Sequence, residues 1–498
     1  MNGLKKKLDH LLGSVTMYKL VLVLLIVLTA YALILSLAGL VFYSPLEILA
    51  TGGIAVAVSV LSSWALGRLF RTKAHLESAA ITGLLLLFVL VPSLDAVELG
   101  GIAVAALVAS ASKFLLAVRG RHVFNPAAIG ALVAIVLGLQ FNGWWASNVY
   151  LLPVVALSAL IILYRTRRLI MGLVFVAVVF ALSLVFHSSQ PSYAFSSIAT
   201  VFFVGFMLSE PLTLPPRRWQ QLVLAVIVGA LVAVPTFQIV GTLWSSPQFA
   251  LVVGNLLAFL VGQRRGLALS LVAKQQLTPT TWEFAFQPKH PVRFHAGQYL
   301  ELALPHGPAD LRGQRRVFSI SSAPAEDSPI TVGVKVSERS SSFKTAMLAL
   351  EPGDTVRATS VGGDFLLPSD ATMPVLLVAG GIGITPFASQ LAHETGRGRD
   401  TVVVYAVLAG EELAYRAQLE ASDARVIVIA PTAPADLPAD WTYAGSDRLT
   451  AESLANLVPD VTTRHAFVSG PPALVDDVRG ILRSLKARRI STDYFSGY

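Results

Sequence analysis

Cysteine is absent from all 498 residues. That single absence excludes disulfides, thiolate zinc sites, cysteine nucleophiles and Cys-ligated iron–sulfur clusters, so any redox chemistry must use organic cofactors or haem. Charge is scarce as well. Only 14% of residues are Asp, Glu, Lys or Arg against 54% hydrophobic, and the mean hydropathy is +0.66, outside the range of an ordinary soluble domain and pointing to a membrane protein of at least two domains. Acid is scarcest in the first half: residues 1–265 hold 17 Lys and Arg but 6 Asp and Glu, whereas the remainder holds 21 and 24. The net charge of +8 therefore belongs to the apolar half and does not mark a nucleic-acid-binding protein.

What the first half has instead is apolar runs, near 17–40, 47–66, 77–92, 100–117, 127–141, 149–163, 169–186, 194–209, 221–238 and 248–262. Most approach the roughly 20 residues a helix needs to cross about 30 Å of hydrocarbon. The first follows Lys5, Lys6 and Lys7 but is too long for a signal-peptide core and ends at no small-residue cleavage site, so it reads as an uncleaved anchor. With the amino terminus in the cytoplasm, the inside loops carry Arg68, Arg71 and Lys73; Arg119 and Arg121; Arg165, Arg167 and Arg168; Arg217 and Arg218; Arg264 and Arg265. The opposite loops, about 41–46, 93–99, 142–148, 187–193 and 239–247, contain no Lys or Arg. This is the positive-inside pattern, and it predicts ten spans in an inner cell membrane with both termini cytoplasmic.

Beyond Gly266 the pattern changes to short alternating runs, "LALSLVAKQQL", "TTWEFAFQ", "GQYLELALP", "RRVFSISS", "ITVGVKV" and "TVRATSV". Six such strands predict a small antiparallel barrel over 266–368. From 369 onward, apolar runs such as "PVLLVAGG", "TVVVYAVL", "RVIVIA" and "HAFVSG" alternate with helical stretches and predict a parallel α/β nucleotide-binding domain. In "VLLVAGGIGITPF" the strand runs straight into Gly380, Gly381 and Gly383, with Thr385 and Pro386 at the start of a helix. Glycines there let backbone N–H groups approach a pyrophosphate. A tight turn needs the same residues, so this cluster gains weight only from its company. In "RRVFSISS", Arg316 and Phe318 fall on one face of a strand, where a guanidinium can hold a phosphate and a ring can lie on a flat heterocycle.

Residues 267–498 resemble the ferredoxin-NADP reductase superfamily, in which a flavin-binding barrel precedes a pyridine-nucleotide domain. The matching pieces stand in family order: "FHAGQYLEL", "RRVFSISS", "VKVSERSSSFKTAML", "LEPGDTVRATSVGGDFLLP", "VLLVAGGIGITPF", "FVSGPP" and "TDYFSGY". The resemblance implies that Arg316 binds the FAD pyrophosphate with help from Ser341 or Ser342, and that Phe318 packs on the flavin. It also implies that Ser319 hydrogen-bonds near the flavin N5, and that Phe495 or Tyr498 covers the face nicotinamide must enter. Gly380, Gly381, Gly383, Thr385, Ser469, Gly470 and Pro471 are the implied NAD(P) contacts, and Ser319 and Asp493 the implied catalytic pair. Three residues depart from the family pattern: Phe318 stands where Tyr is commoner, Ser469 where many relatives have Cys, and Asp493 where Glu is usual. Basic residues are sparse in "VLAGEELAYR" and "IAPTAPAD", which favours NADH over NADPH.

In the first half, "SKFLLAVRGRHVFNPAAIG" and "FFVGFMLSEPLTLPP" resemble the RnfD/NqrB family of ten-helix membrane flavoproteins, subunits of ion-pumping NADH-linked redox complexes. Those relatives carry FMN on the threonine of a Ser/Asp-Gly-Ala-Thr motif. The nearest string here is "SIAT", so the implied second flavin, FMN or riboflavin, is non-covalent and near Lys113, Arg121 and Asn125. Lys113 equally suits a snorkelling side chain. Haem, used by ferric reductases and NADPH oxidases with the same reductase module, is disfavoured because only His75, His122 and His187 lie near the spans. The expectation is a bilayer-embedded NAD(P)H dehydrogenase passing electrons from FAD to a flavin, a flavoprotein or a quinone. Redox-driven ion translocation is the second reading, with few acidic residues in the spans to relay ions, and a bare membrane anchor is the third.

Overall fold

The computed structural model describes residues 15–71, 75–118, 121–186, 199–235, 237–262, 266–307, 310, 314–336, 340–407, 413–434, 436–446 and 448–495, apart from the side chains of residues 121, 240 and 360. The chain divides into two compact units, Met1–Arg265 and Gly266–Tyr498.

In the first unit each of the ten apolar stretches contains a helical segment among the described residues. The main helices are α1 (Met17–Leu37), α2 (Pro45–Leu69), α3 (Leu76–Val89), α4 (Ala96–Leu115), α5 (Pro126–Val136), α6 (Leu152–Arg165), α7 (Leu169–Phe186), α8 (Arg218–Ala233) and α9 (Pro247–Val261). Among the described residues, four of them, α1, α2, α4 and α7, are long and apolar enough to cross a membrane, against the ten spans expected. The others are shorter, 11 to 16 residues. Helix α5 stops at Gly138, whose positive φ of 69° closes a Schellman turn: Gly138 N–H bonds the Ile135 carbonyl at 2.9 Å and Leu139 N–H that of Ala134 at 3.0 Å. The 194–209 stretch is helical over Thr200–Phe202 and then winds as a π-helix over Phe203–Leu208.

This unit is inside out by the standards of a soluble domain. Large apolar side chains such as Leu37, Leu61, Ile170, Leu173 and Val185 stand exposed, while Ser59, Ser63, Ser110 and Ser183 are buried. Ser110 ties two helices together: its hydroxyl donates to the Ser59 carbonyl at 3.1 Å and accepts from Ser63 Oγ at 3.2 Å. Small residues bring the backbones close, so a Cβ on Gly83 would land on the Val56 backbone and one on Gly130 on the Ala105 carbonyl.

The second unit opens with β1 (Leu267–Thr278), β2 (Thr281–Pro288), β3 (Tyr299–Ala303), β4 (Arg315–Ser319), β5 (Ile330–Lys335) and β6 (Thr355–Gly362), the six strands expected. They form one antiparallel sheet in the order β4-β3-β6-β1-β2-β5. An antiparallel bridge between Ile320 and Val332 joins its two edge strands and closes the barrel. Helix α10 (Ser342–Leu348) lies between β5 and β6 in the chain and buries Phe343 and Met347 in the barrel core.

The second sheet contains β7 (Val375–Gly380), β8 (Thr401–Ala406), β9 (Arg425–Ile429), β10 (Thr442–Tyr443), β11 (His465–Gly470) and β12 (Arg489–Tyr494), all parallel, in the order β10-β9-β8-β7-β11-β12. The apolar runs predict β7, β8, β9 and β11; β10 and β12 are edge strands too short or too polar to stand out. Chain order reverses between β7 and β11, and the crevice beyond the carboxyl ends of those neighbours is where such sheets bind ligands. Helices α11 (Thr385–Glu394) and α12 (Pro472–Ser484) start at that edge.

Candidate active site

The strand β4 presents Arg316 and Phe318 inward and Val317 outward, as its period of two requires. The Arg316 guanidinium is buried. Its Nη1 donates to the Arg315 carbonyl at 2.7 Å, its Nη2 reaches Asp310 Oδ1 at 3.3 Å, and its carbon sits 5.3 Å from the centre of the Phe343 ring. Helix α10 brings its first residue to the same place: Ser342 N–H donates to Asp310 Oδ2 at 3.3 Å, and Ser342 Oγ accepts from Asp310 N at 3.0 Å and meets His306 Nε2 at 2.9 Å. Ser341 is the cap of α10, its hydroxyl taking the Lys344 N–H at 3.5 Å. Arg316 and Ser342, 26 positions apart, thus converge on one anion.

Phe318 sits in the barrel core with its ring centre 5.8 Å from that of Phe343, leaving only 8% of the residue accessible. Ser319 ends the strand, buried, opposite Tyr299.

At the switch point two turns meet backbone to backbone. Gly380 ends β7, and Gly381 and Gly383 lie in the one-turn 3₁₀ helix that leads into α11. A Cβ on Gly383 would run into the Ser469 carbonyl oxygen and come within 2.7 Å of Gly470 Cα, so only glycine allows this approach. Thr385 starts α11 with its hydroxyl donating to the Ile382 carbonyl at 3.0 Å, and Pro471 leads into α12. Strand β12 then brings Asp493 and the residues up to Phe495 to the same edge. Asp493 is the parallel partner of Ser469 in the ladder, and Phe495 N–H donates to the Gly470 carbonyl at 2.8 Å. The structure therefore gathers Gly380, Gly383, Ser469, Gly470, Asp493 and Phe495 at one edge. Tyr498 lies outside the described residues.

Three contacts absent from the sequence reading hold the dinucleotide turn against the barrel. Ser389 Oγ donates to the Ser322 carbonyl and Gln390 Nε2 to the Phe365 carbonyl, both at 2.6 Å. The third is Tyr415, buried in a left-handed conformation (φ 59°), whose hydroxyl stands where a Cβ on Gly333 would go and faces Glu283 and Ser321. Burial first, and then the Glu283 charge, push that hydroxyl well above the ordinary tyrosine value, so it stays protonated. No local spacing signals Tyr415; it comes from a stretch notable in the sequence only for its lack of basic residues.

The residues present fit FAD and a nicotinamide nucleotide. A buried guanidinium and a helix-start amide N–H converging on one carboxylate are donors of the kind a phosphate takes. Ser469 Oγ is buried with no hydrogen-bond partner among the described residues, a polar atom left for an incoming amide.

In the first unit, Lys113 on α4 donates to Ser78 O and Ser78 Oγ at 3.0 Å and to Thr82 Oγ1 at 2.9 Å. Those three bonds match the three N–H groups of an ammonium and pair α4 with α3. Asn125 caps α5 through Ala128 N–H at 3.1 Å, donates to Glu210 Oε2 at 3.0 Å, and gives its own backbone N–H to Asn255 Oδ1 at 2.8 Å. His122 Nε2 meets Glu210 Oε1 at 2.9 Å. The Arg121 side chain lies outside the described residues, although its backbone pairs with Val118. His122, Asn125, Glu210 and Asn255 form one polar knot; Asn255 was not singled out in the sequence. His75 caps α3 through Nδ1 and His122 holds Glu210, so each has a ring nitrogen already engaged; His187 lies outside the described residues.

Comparison with known proteins follows this geometry. Residues 377–480 match the oxidoreductase NAD-binding domain family. The chain is 27% identical over 227 residues to the stachydrine N-demethylase reductase subunit Stc4 of Rhizobium meliloti, covering 44% of this chain and 62% of that one. It is 31% identical over 155 residues to ferredoxin–NADP reductase B of Sorangium cellulosum, covering 30% and 62%. Among solved structures it is similar to phthalate dioxygenase reductase, with 22% identity, a TM-score of 0.37, and coverage of 46% of this chain and 68% of that one. The chain thus spans about 62% of the length of the first two curated relatives.

Proposed function

We propose that this oxidoreductase module, whose cofactors are FAD and a nicotinamide nucleotide, works from the membrane: the whole chain is an NAD(P)H dehydrogenase that passes electrons from the cytoplasm into or across the bilayer. The observation that carries this reading is the continuity of one polypeptide from a unit with apolar, membrane-length helices into the module. Covalent fusion would give the donor a high effective concentration at its acceptor.

FAD, when bound, accepts an electron pair from NAD(P)H and returns it singly or as a pair. The chain's own residues do the rest. Arg316 and the Ser342 amide hold the pyrophosphate, and Ser319 offers a hydroxyl at the end of the strand that carries Arg316. The Gly380–Gly383 turn and the start of α11 take the dinucleotide phosphates, Ser469 orients the nicotinamide, and Asp493 beside it in the ladder keeps that edge polar. Phe495 covers the face that nicotinamide enters. Arg416 is tied to Glu420 at 2.6 Å and to the Asp436 carbonyl, which takes the described cation after β8 away from a 2′-phosphate and supports NADH as the donor.

For the first unit, the RnfD/NqrB-like reading has ten crossings and a second, non-covalent flavin. Its support is the helical segment in each apolar stretch and the polar knot around Asn125 and Glu210, where π-helical winding just before Glu210 is a feature often found at functional sites. Lys113, Arg121 and Asn125 remain its candidate contacts.

The test uses the full chain in sealed vesicles with NADH outside. Ferricyanide added outside draws on the module directly and reports its activity; an enclosed acceptor reports transfer across the bilayer. Reduction of the enclosed acceptor, at a rate well above that of vesicles lacking the protein, is expected. External activity with no internal reduction would leave the first unit a bare anchor.

A further inference from the structure

The anion on which Arg316 and Ser342 converge is supplied by the chain itself. Asp310 offers one carboxylate oxygen to each: Oδ1 to the guanidinium and Oδ2 to the amide N–H, both at 3.3 Å. We propose that Asp310 is a phosphate surrogate, holding the cradle in the flavin-free chain and yielding its place to a cofactor phosphate when FAD binds. The proposal rests on the reading of the Arg316 strand as the FAD pyrophosphate site.

Four observations carry it. First, the two donors come from separate elements, β4 and α10, and one planar anion bridges them as a phosphate would. Second, the guanidinium is nearly inaccessible, with 4% of its side chain exposed, and a buried cation without a counter-charge is strongly destabilising, so an empty cradle needs an anion. Third, Asp310 is the more accessible partner: 30% of its side chain is exposed against 4% for Arg316, so its carboxylate is already partly hydrated and its displacement costs less desolvation. Fourth, the contacts are long for charged pairs. The other buried arginines of this unit hold their carboxylates tightly, Arg399 to Glu394 at 2.6 Å and Arg464 to Asp400 at 2.7 Å. A settled charge-assisted bond is about 2.7 to 2.9 Å. The Arg316–Asp310 contact is the longest of the three. Asp310 N and His306 Nε2 both engage Ser342 Oγ as well.

Two consequences follow from the competition. Asp310 stabilises the flavin-free chain, and it weakens FAD binding by the free energy needed to displace it. The experiment is a titration of flavin-free, full-length chain with FAD, followed by flavin fluorescence, in wild type, Asp310→Asn, Asp310→Ser and Asp310→Glu, with thermal melting of each flavin-free form. The neutral variants are expected to bind FAD about three- to tenfold more tightly, the scale of a partly exposed ion pair, while melting at lower temperature without FAD. Asp310→Glu keeps the charge and is expected to show neither the tighter binding nor the full melting loss. Unchanged or weaker FAD binding in both neutral variants would overturn the surrogate and make Asp310 an ordinary partner that orients Arg316. The underlying reading fails differently: wild-type chain that takes up no FAD, or that keeps its affinity when Arg316 is removed, sinks the site itself. Should one neutral variant not fold, the other decides. Inorganic pyrophosphate supplies an independent measure, since in a direct titration without FAD it should bind a neutral variant at lower concentration than wild type; equal binding counts against the proposal.

Discussion

Arg316→Ala is expected to lose FAD, with affinity falling at least about 100-fold and the full-length protein purifying largely without flavin. Removing one partner of a buried charge pair costs about 2 to 5 kcal/mol, and each 1.4 kcal/mol is tenfold. Two features place this site in the upper part of that range. The guanidinium is the buried cation of the cradle, packed on Phe343, so nothing in the solvent substitutes for it. Its removal also leaves the Asp310 carboxylate beside the Ser342 amide, where it now repels the incoming phosphates with no cation to balance it. The measurement is flavin per chain after purification, then the FAD Kd by fluorescence. A variant that keeps its full flavin complement would show that the "RRVFSISS" strand does not hold the pyrophosphate.

Gly383→Ala is expected to do the converse: FAD stays, and reduction by NAD(P)H falls by about 100-fold. The new methyl would press on the Ser469 carbonyl and on Gly470 Cα, both backbone atoms that no rotamer change can move. The two turns at the switch point must then separate by several tenths of an ångström to an ångström, and a displacement of about 1 Å between reacting groups is worth about 10² in rate. Phe495 is tied to the Gly470 carbonyl, so the covering residue shifts with the turn. Rapid mixing with NADH, followed by flavin bleaching, reads the effect, and chemical reduction of the same flavin by dithionite should be unchanged. Wild-type bleaching rates would mean that nicotinamide does not enter between these turns.

The second sheet shows where sequence reading works and where it stops. Strands β7, β8, β9 and β11 are buried on both faces, so each is written as an unbroken apolar run and can be read directly. Strand β12 carries "RISTDY", mostly polar, and exists because β11 offers it a full row of backbone partners; pairing with a neighbour leaves no mark in its own residues. The same contrast runs through the site. Arg316 and Phe318 were legible because a strand's period of two places them on one face, and Gly383 because its glycine cluster stands beside that strand's motif in one chain. Asp310 and Tyr415 were not, since nothing in their own neighbourhoods distinguishes them from loop residues.

In the first unit the helical segments follow from hydropathy alone, but their lengths do not: the Gly138 turn, for one, ends the Pro126–Val136 helix inside its apolar stretch. Lys113 shows the limit most clearly. Its place in an apolar stretch predicts a polar partner, and the structure gives it partners on the neighbouring helix: Ser78, 35 positions away, and Thr82, 31 away. Asn125 likewise finds Glu210 at a separation of 85 and Asn255 at 130. The sequence by itself determined where most helices and strands form, the change from an apolar half to one of alternating strands, and the strand-to-glycine turn, because periodicity and backbone constraint act over a few residues. Only the tertiary structure decided which polar group meets which, because a buried donor must find an acceptor wherever the fold brings one, and that choice is made between residues tens to more than a hundred positions apart.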